Sequence, residues 1–374
     1  MSEDTGTAST LTHYVHSTSW SEPVNLSTSY QVPSARPAIA VGPDRTVHAI
    51  WEENDRLFYR SRTGDQWTAP VSVANGRQPA AAVGSDGTLH VLYVNEFMGH
   101  TNVFAVRFRE GVWSLPRLVS RTQGASLWPA VAVDGQGTVH AVWADNTPGY
   151  AVIYHARLEE MWLYGPIPNA RGTAPQIAYS SADNLLHVAW QSPAVGSELH
   201  DIYHAQGVVH AWSLPENISA ALTANAVNVA LAVDAEGEVH LVWQEVTNGR
   251  SSVKYAGGRQ GHWASPELVS SAGASAEDPA LAITHGNQLN VVWRENNVIH
   301  FRRRSGNDRT WRPAKPLISN NGYLSDLALA ADLVGRLHLA WSARSSAGEP
   351  DVFHSTGEAS LPSQVFLPTT PVSR

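Results

Sequence analysis

Seven times along this chain an apolar segment closes on a large aromatic residue. The segments are Val47-His48-Ala49-Ile50-Trp51, Leu89-His90-Val91-Leu92-Tyr93, Val139-His140-Ala141-Val142-Trp143, Leu186-His187-Val188-Ala189-Trp190, Val239-His240-Leu241-Val242-Trp243, Leu289-Asn290-Val291-Val292-Trp293 and Leu337-His338-Leu339-Ala340-Trp341. His48 to His338 spans 290 residues in six intervals, about 48 per repeat, a period that belongs to the blades of a β-propeller. Seven stacked units of this kind can form one closed body, although 374 residues would otherwise suggest two or more domains.

Residue types order the strands within each repeat. Ahead of each segment above lies another strand whose fourth position is always alanine: Ala40, Ala82, Ala132, Ala178, Ala232, Ala282 and Ala330. Strands converging on an axis have no room for larger side chains, so this strand is innermost. Turns such as Asp134-Gly135-Gln136-Gly137 link it to the His/Trp strand, the glycine supplying a positive φ. A third strand follows, as in Ile202-Tyr203-His204. A fourth begins with tryptophan and soon meets proline, as in Trp67 to Pro70, Trp113 to Pro116 and Trp263 to Pro266. Proline cannot donate to a ladder and is confined to edges, so this strand is outermost.

The fold class is therefore all-β, a seven-bladed propeller of four-stranded antiparallel blades. Its last blade lacks an outer strand of its own, and residues 19–27 can supply it from the other end of the chain. Thr12 to His16 and Val352 to Ser355 compete for the third-strand slot of that blade. The propeller is placed at 11–356, with 1–10 as a disordered segment and 357–374, containing Pro362, Pro368 and Pro371, as a tail or linker.

Composition narrows the partners. A net charge of −8 without runs of lysine or arginine offers no footprint for a phosphate backbone or an anionic lipid surface, so neither nucleic acid nor membrane is expected. The absence of cysteine removes disulfides, thiol catalysis and thiolate metal sites. Residues 1–10 lack the basic start and apolar run of a signal peptide, so the chain reads as cytoplasmic or as a segment of a longer one, a monomer or one domain.

The tryptophan-led outer strand after an Ile-Tyr-His-Ala strand (Ile202 to Ala205) resembles the Asp-box propellers of the sialidase-like kind, over roughly residues 11 to 356. The family's Ser-x-Asp-x-Gly-x-Thr-Trp box corresponds here to Ser61 to Trp67, Arg109 to Trp113, Arg259 to Trp263 and Ser305 to Trp311, with the aspartate mostly lost. The resemblance implies the fold. Sialidases of this family are six-bladed and use an arginine triad with a Tyr/Glu pair and an acid. No opening of the Arg-Ile-Pro type is present, and sialidase activity is not supported. Seven-bladed relatives include polysaccharide lyases, glycosidases and non-catalytic binders.

Connections after the second and fourth strands emerge on one face, around the mouth of the central channel, where function concentrates. Just past each second-strand aromatic stand Glu53, Asn95, Asp145, Ser192, Glu245, Glu295 and Ala343. Ahead of each innermost strand stand Arg36, Gln78, Trp128, Ala174, Asn228, Asp278 and Asp326, with almost no agreement. Scaffold positions repeat while mouth positions diverge, which points to one asymmetric site rather than seven copies. The longest second-to-third connections are read in the second, third, fourth and last blades. The candidate ligand-binding residues are Trp128, Asp145, Asn146, Tyr150, Phe97, His100, Glu53, Glu245 and Glu295. An exposed tryptophan beside carboxylates and amides suits a sugar ring, and equally a protein partner.

The leading expectation is a non-catalytic recognition module for a glycan or a protein, without cofactor or metal. The alternative is a glycoside hydrolase or polysaccharide lyase using Glu245 and Glu295 as a carboxylate pair at ~5–9 Å. A structural spacer is the third. The six repeated histidines read as hydrogen-bonded core residues. His200 and His204 would stand about 13 Å apart on one strand, too far for one zinc ion. Asn25-Leu26-Ser27 and Asn217-Ile218-Ser219 match glycosylation acceptors but fall within the outer-strand phrase.

Overall fold

The computed structural model describes residues 20–358, apart from 30–31, 160, 195–197, 209–210, 222, 307–308, 321 and 345–347. Seven antiparallel sheets run from axis to rim, six of them in chain order and the last completed at its rim by the N-terminal Val24–Asn25. The first blade is built from Ser34–Val41, Val47–Glu53, Arg56–Thr63 and an outer strand in two pieces, Gln66–Trp67 and Val71–Asn75. Pro70 causes the break, because it has no N–H to give to the ladder. The innermost strands pack side by side in cyclic order, and Leu324–Ala331 of the last blade meets Ser34–Val41 of the first.

The ring is closed by both ends of the described chain. Val24 and Asn25 pair with His354 and Phe353, and Trp20 bridges Gly357. The third-strand slot belongs to Asp351–Glu358, so Gly357 and Glu358 lie inside the ring. Its competitor, Thr12 to His16, lies outside the described residues, as do 1–10 and most of 357–374.

Each blade buries two different faces. On one, the second-strand aromatic stacks on the residue opposite it: Trp51 on Phe58, Tyr93 on Phe104, Trp143 on Tyr154, Trp190 on Tyr203, Trp293 on His300 and Trp341 on Phe353. Such cross-strand pairs are the unit of sheet stabilisation. On the other face, six of the seven axial alanines stand opposite the repeated histidine, as in Ala40 with His48 and Ala330 with His338, while Ala282 stands opposite Asn290. The imidazoles stack on a third-strand ring, His48 on Tyr59, His140 on His155, His187 on His204, His240 on Tyr255 and His338 on His354.

The outer-strand tryptophan closes the seam from the next blade. Trp113 meets Tyr59, Trp212 meets His155, Trp263 meets His204, Trp311 meets Tyr255 and Trp67 meets His354, edge to face at 5.0 to 5.3 Å. The two recurrent tryptophans thus have separate duties, one within the blade and one between blades. Burial holds the imidazoles neutral: His48, His90, His187 and His338 are pushed down to about 4 and His204 to about 3.

Turn aspartates anchor these histidines as well as shaping the turns. Asp134 accepts from the N–H groups of Gln136 and Thr138 and lies 3.2 Å from His140 Nε2, and Asp234 repeats the pattern with His240 at 3.3 Å. At the rim, Asn217 Nδ2 and Ser219 Oγ donate to Asp201, both at 2.8 Å. Asn25 and Ser27 do the same to Asp351 at 3.0 and 2.7 Å. These two Asn-x-Ser triplets are clips that tie an outer strand to its third strand.

Candidate functional site

Near the mouth, every innermost strand slips register by one residue against the second strand. Ala35 pairs with Glu52 and Ala38 with Ile50, which leaves two residues opposite Trp51, and the same slip recurs in all seven blades. The extra residue of each bulge is left-handed: Arg36, Gln78, Trp128, Ala174, Asn228, Asp278 and Asp326, with φ between 48° and 54°. These are the seven divergent positions. In five of them proline follows, which disfavours a right-handed helical backbone before it and needs no ladder donor. A left-handed backbone costs an ordinary residue roughly 1–2 kcal/mol. A seven-fold strained ring is characteristic of functional ground.

Hydrogen bonds run around part of this ring from blade to blade. Asp326 Oδ2 accepts from Arg36 N at 3.4 Å, and the Arg36 guanidinium pairs with Glu52. Glu52 Oε2 accepts from Gln78 N at 2.8 Å, and Gln78 Oε1 accepts from Trp128 N at 2.9 Å. Across the gap left by Ala174, Asn228 N donates to Gln191 Oε1 at 3.1 Å, and Asn228 Nδ2 to Gln244 Oε1 at 3.0 Å.

The ring has two unlike halves. Trp128, 42% exposed, stands among Gln78, Ala174 and Asn228. The other half carries Asp278, Asp326 and Arg36, with Arg294 beside them. Arg294 Nε lies 3.4 Å from Asp278, its other end pairs with Glu277, and its guanidinium covers the Tyr323 ring at 5.3 Å. Burial pushes the Asp278 carboxyl above its ordinary range, and the charges of Asp326 and Glu277 add to this against the pull of Arg294. The innermost strands that carry Asp278 and Asp326, Ala276–Thr284 and Leu324–Ala331, are neighbours in the ring.

Of the nine sequence-derived candidates, Trp128 alone belongs to the ring of bulges. Asp145 is fully buried, not presented to solvent: Thr122 Oγ1 and Ser126 Oγ donate to Oδ2 at 2.6 and 2.7 Å, and Thr147 N to Oδ1 at 2.9 Å. Asn146 Oδ1 accepts from Ala125 N at 2.7 Å, so these two residues hold the loop that carries Tyr150. Tyr150 is exposed beneath the Arg171 guanidinium at 4.5 Å. The second blade corrects the expectation of a long connection there. Its ladder runs on through Phe97 and His100, which pair across a two-residue turn of Met98 and Gly99, both at positive φ.

Glu53 and Glu295 lie two residues past a buried tryptophan and accept its indole N–H, from Trp51 at 3.4 Å and Trp293 at 2.8 Å. Glu245 lies 3.6 Å from Lys254 of its own blade, and Glu295 lies 3.6 Å from His300. Each member of the supposed acid/base pair is thus engaged within its blade. Sequence reasoning missed Glu52 and Arg294, and it placed Gln78, Asp278 and Asp326 at the mouth without taking them as candidates. The prolines after the bulges were a visible signal, since they mark where the inner ladder must break.

The sequence matches no family model and no curated protein. Solved structures are similar in fold. A protein of unknown function from Dyadobacter fermentans is 13% identical over 90% of this chain and 98% of that one, with a TM-score of 0.56. A polysaccharide lyase, the PL25 ulvan lyase bound to -[GlcA(1-4)Rha3S]-, is 10% identical over 88% and 95%, with a TM-score of 0.62. The Hadza microbial sialidase Hz136 is 13% identical over 83% and 73%, with a TM-score of 0.50.

Proposed function

We propose that this propeller is a recognition module that binds a glycan at one asymmetric site on the channel mouth, without chemistry of its own. The observation that carries the reading is the ring of seven equivalent backbones bearing six kinds of residue, with Trp128 exposed in an amide-bearing half across from a charged one. An indole face supplies stacking area for a sugar ring, while Asn228 and the carboxylates supply partners for hydroxyls. Neighbours in fold whose names include an ulvan lyase and a sialidase make a saccharide the first class to test. Glycan-array binding should appear in the wild type and fall at least tenfold in Trp128→Ala. Array binding untouched by Trp128→Ala would sink the reading, and capture of a protein by the same face would replace it.

One observation favours a second reading, an enzyme that cleaves glycosidic linkages at the same mouth. Asp278, held above the ordinary carboxylate range by burial, beside Asp326, is the arrangement of an acid with a carboxylate partner. Incubation with a panel of neutral and uronate polysaccharides decides it. Turnover that Asp278→Asn abolishes would establish catalysis, and no product from any member would leave recognition.

A further inference from the structure

Trp128 is the bulkiest residue on the ring and holds a backbone conformation that large side chains rarely adopt. The bulge also takes it out of the ladder to the second strand, since Leu127 pairs with Ala144 and Ala130 with Val142. Its N–H must find an acceptor elsewhere, and Gln78 Oε1 is that acceptor at 2.9 Å. Because the group presented to an N–H has to be the carbonyl oxygen, the orientation of the Gln78 amide follows. Gln78 is itself held from behind by Glu52 at its backbone N–H, and Glu52 by Arg36. The third, second, first and seventh blades are thereby joined as Trp128, Gln78, Glu52 with Arg36, and Asp326, the last accepting from Arg36 N and Ser325 Oγ.

We propose that Gln78 is a positioning residue for the mouth site: its side-chain carbonyl fixes the left-handed backbone of Trp128 and so the attitude at which the indole meets a sugar ring. The inference rests on the reading of Trp128 as the stacking platform. It adds that affinity at this site is set by a residue that need not touch the ligand, through loss of pre-organisation rather than loss of contact. It also links the two halves of the mouth, because the series that orders Trp128 ends on Asp326.

The test needs no ligand and so stands apart from the fate of the functional reading. Protein carrying 5-fluorotryptophan is compared by ¹⁹F NMR, with the Trp128 resonance assigned by its disappearance in Trp128→Phe. Gln78→Met keeps the length and removes the acceptor; the Trp128 line should shift and at least double in width while the other tryptophan lines stay in place. Gln78→Glu keeps an acceptor at the same reach and should restore the wild-type line. An unchanged Trp128 line in folded Gln78→Met overturns the proposal, as does equal broadening in Gln78→Glu. If Gln78→Met fails to fold, Glu52→Gln is read in its place: it weakens the support of Gln78, so the Trp128 line should broaden by a smaller factor, and no change counts against the proposal. Trp128→Ala without effect on glycan binding would remove the function and leave the positioning result intact.

Discussion

The seams between blades and the ring at the mouth share one property: each repeats a single backbone arrangement seven times. In five seams the side chains repeat with it, as stacks of His with Tyr or His capped by Trp67, Trp113, Trp212, Trp263 and Trp311. At the mouth they do not, and Arg36, Gln78, Trp128, Ala174, Asn228, Asp278 and Asp326 share only φ. Packing explains the first case, because a close-packed wedge tolerates little change of volume. A solvent-facing bulge imposes no such volume, so its residue is free to serve another purpose. The seams hold the ring together and the mouth spends some of that stability on strain.

Acid should expose this division most strongly. The seam imidazoles are neutral when folded, with values lowered to about 4 or below, and regain an ordinary value near 6.5 on unfolding. The unfolded chain therefore binds more protons between those limits. Stability is complete above pH 6.5 and is lost as pH falls toward 4. A shift of two or more units is worth on the order of 3 kcal/mol per ring, so several rings together exceed any single substitution. Urea midpoints from pH 7.5 to 4.5 check this, and a flat profile would mean that the seams are not as dry as described.

Next in size is a paired truncation. Trp143 is fully buried, and Trp143→Ala should destabilise by about 3–5 kcal/mol. Trp128→Ala removes an indole that is 42% exposed and should change stability by less than about 1 kcal/mol, while losing the ligand. The two measurements, denaturation and glycan binding, should move in opposite proportion. Smaller than the first and equally local is Asp201→Ala, which frees the Asn217 and Ser219 clip and should cost about 1–3 kcal/mol, with binding intact.

This contrast also marks what could be read from the chain alone. Ala178 and its counterparts, and the prolines after each outer tryptophan, ordered the strands because axis and edge impose distinct steric rules. Asp145 misled because its partners come from elsewhere, Thr122 from the connection ahead of the innermost strand and Ser126 from that strand itself, which no single-strand pattern displays. Glu53 and Glu295 stand where a mouth residue should, yet an indole N–H two residues back claims each. Met98 hid a two-residue turn because methionine is not a turn former, whereas Asn248-Gly249 in the fifth blade makes the same kind of turn in plain sight. The bulges were legible only indirectly, as divergence of the residue ahead of each inner strand and as the proline that follows it in five blades.

The finest test sets two alanines of one strand against each other. Ala174 occupies a bulge at φ 50°, and Ala178, four residues on in Thr173–Ser180, pairs regularly with His187. Glycine at Ala174 relieves a left-handed backbone, which costs an L-residue roughly 1–2 kcal/mol, against a somewhat larger loss of chain freedom on folding. Glycine at Ala178 has only the second effect and removes a packed methyl, a loss of about 0.5–1 kcal/mol. Ala174→Gly should therefore be more stable than wild type by up to about 1 kcal/mol and Ala178→Gly less stable by a similar amount, read as urea midpoints at unchanged slope. Opposite signs would show that strain is stored at the mouth and not along the inner strand as a whole. Equal losses would mean that the bulge is relaxed and that the mouth stores no strain.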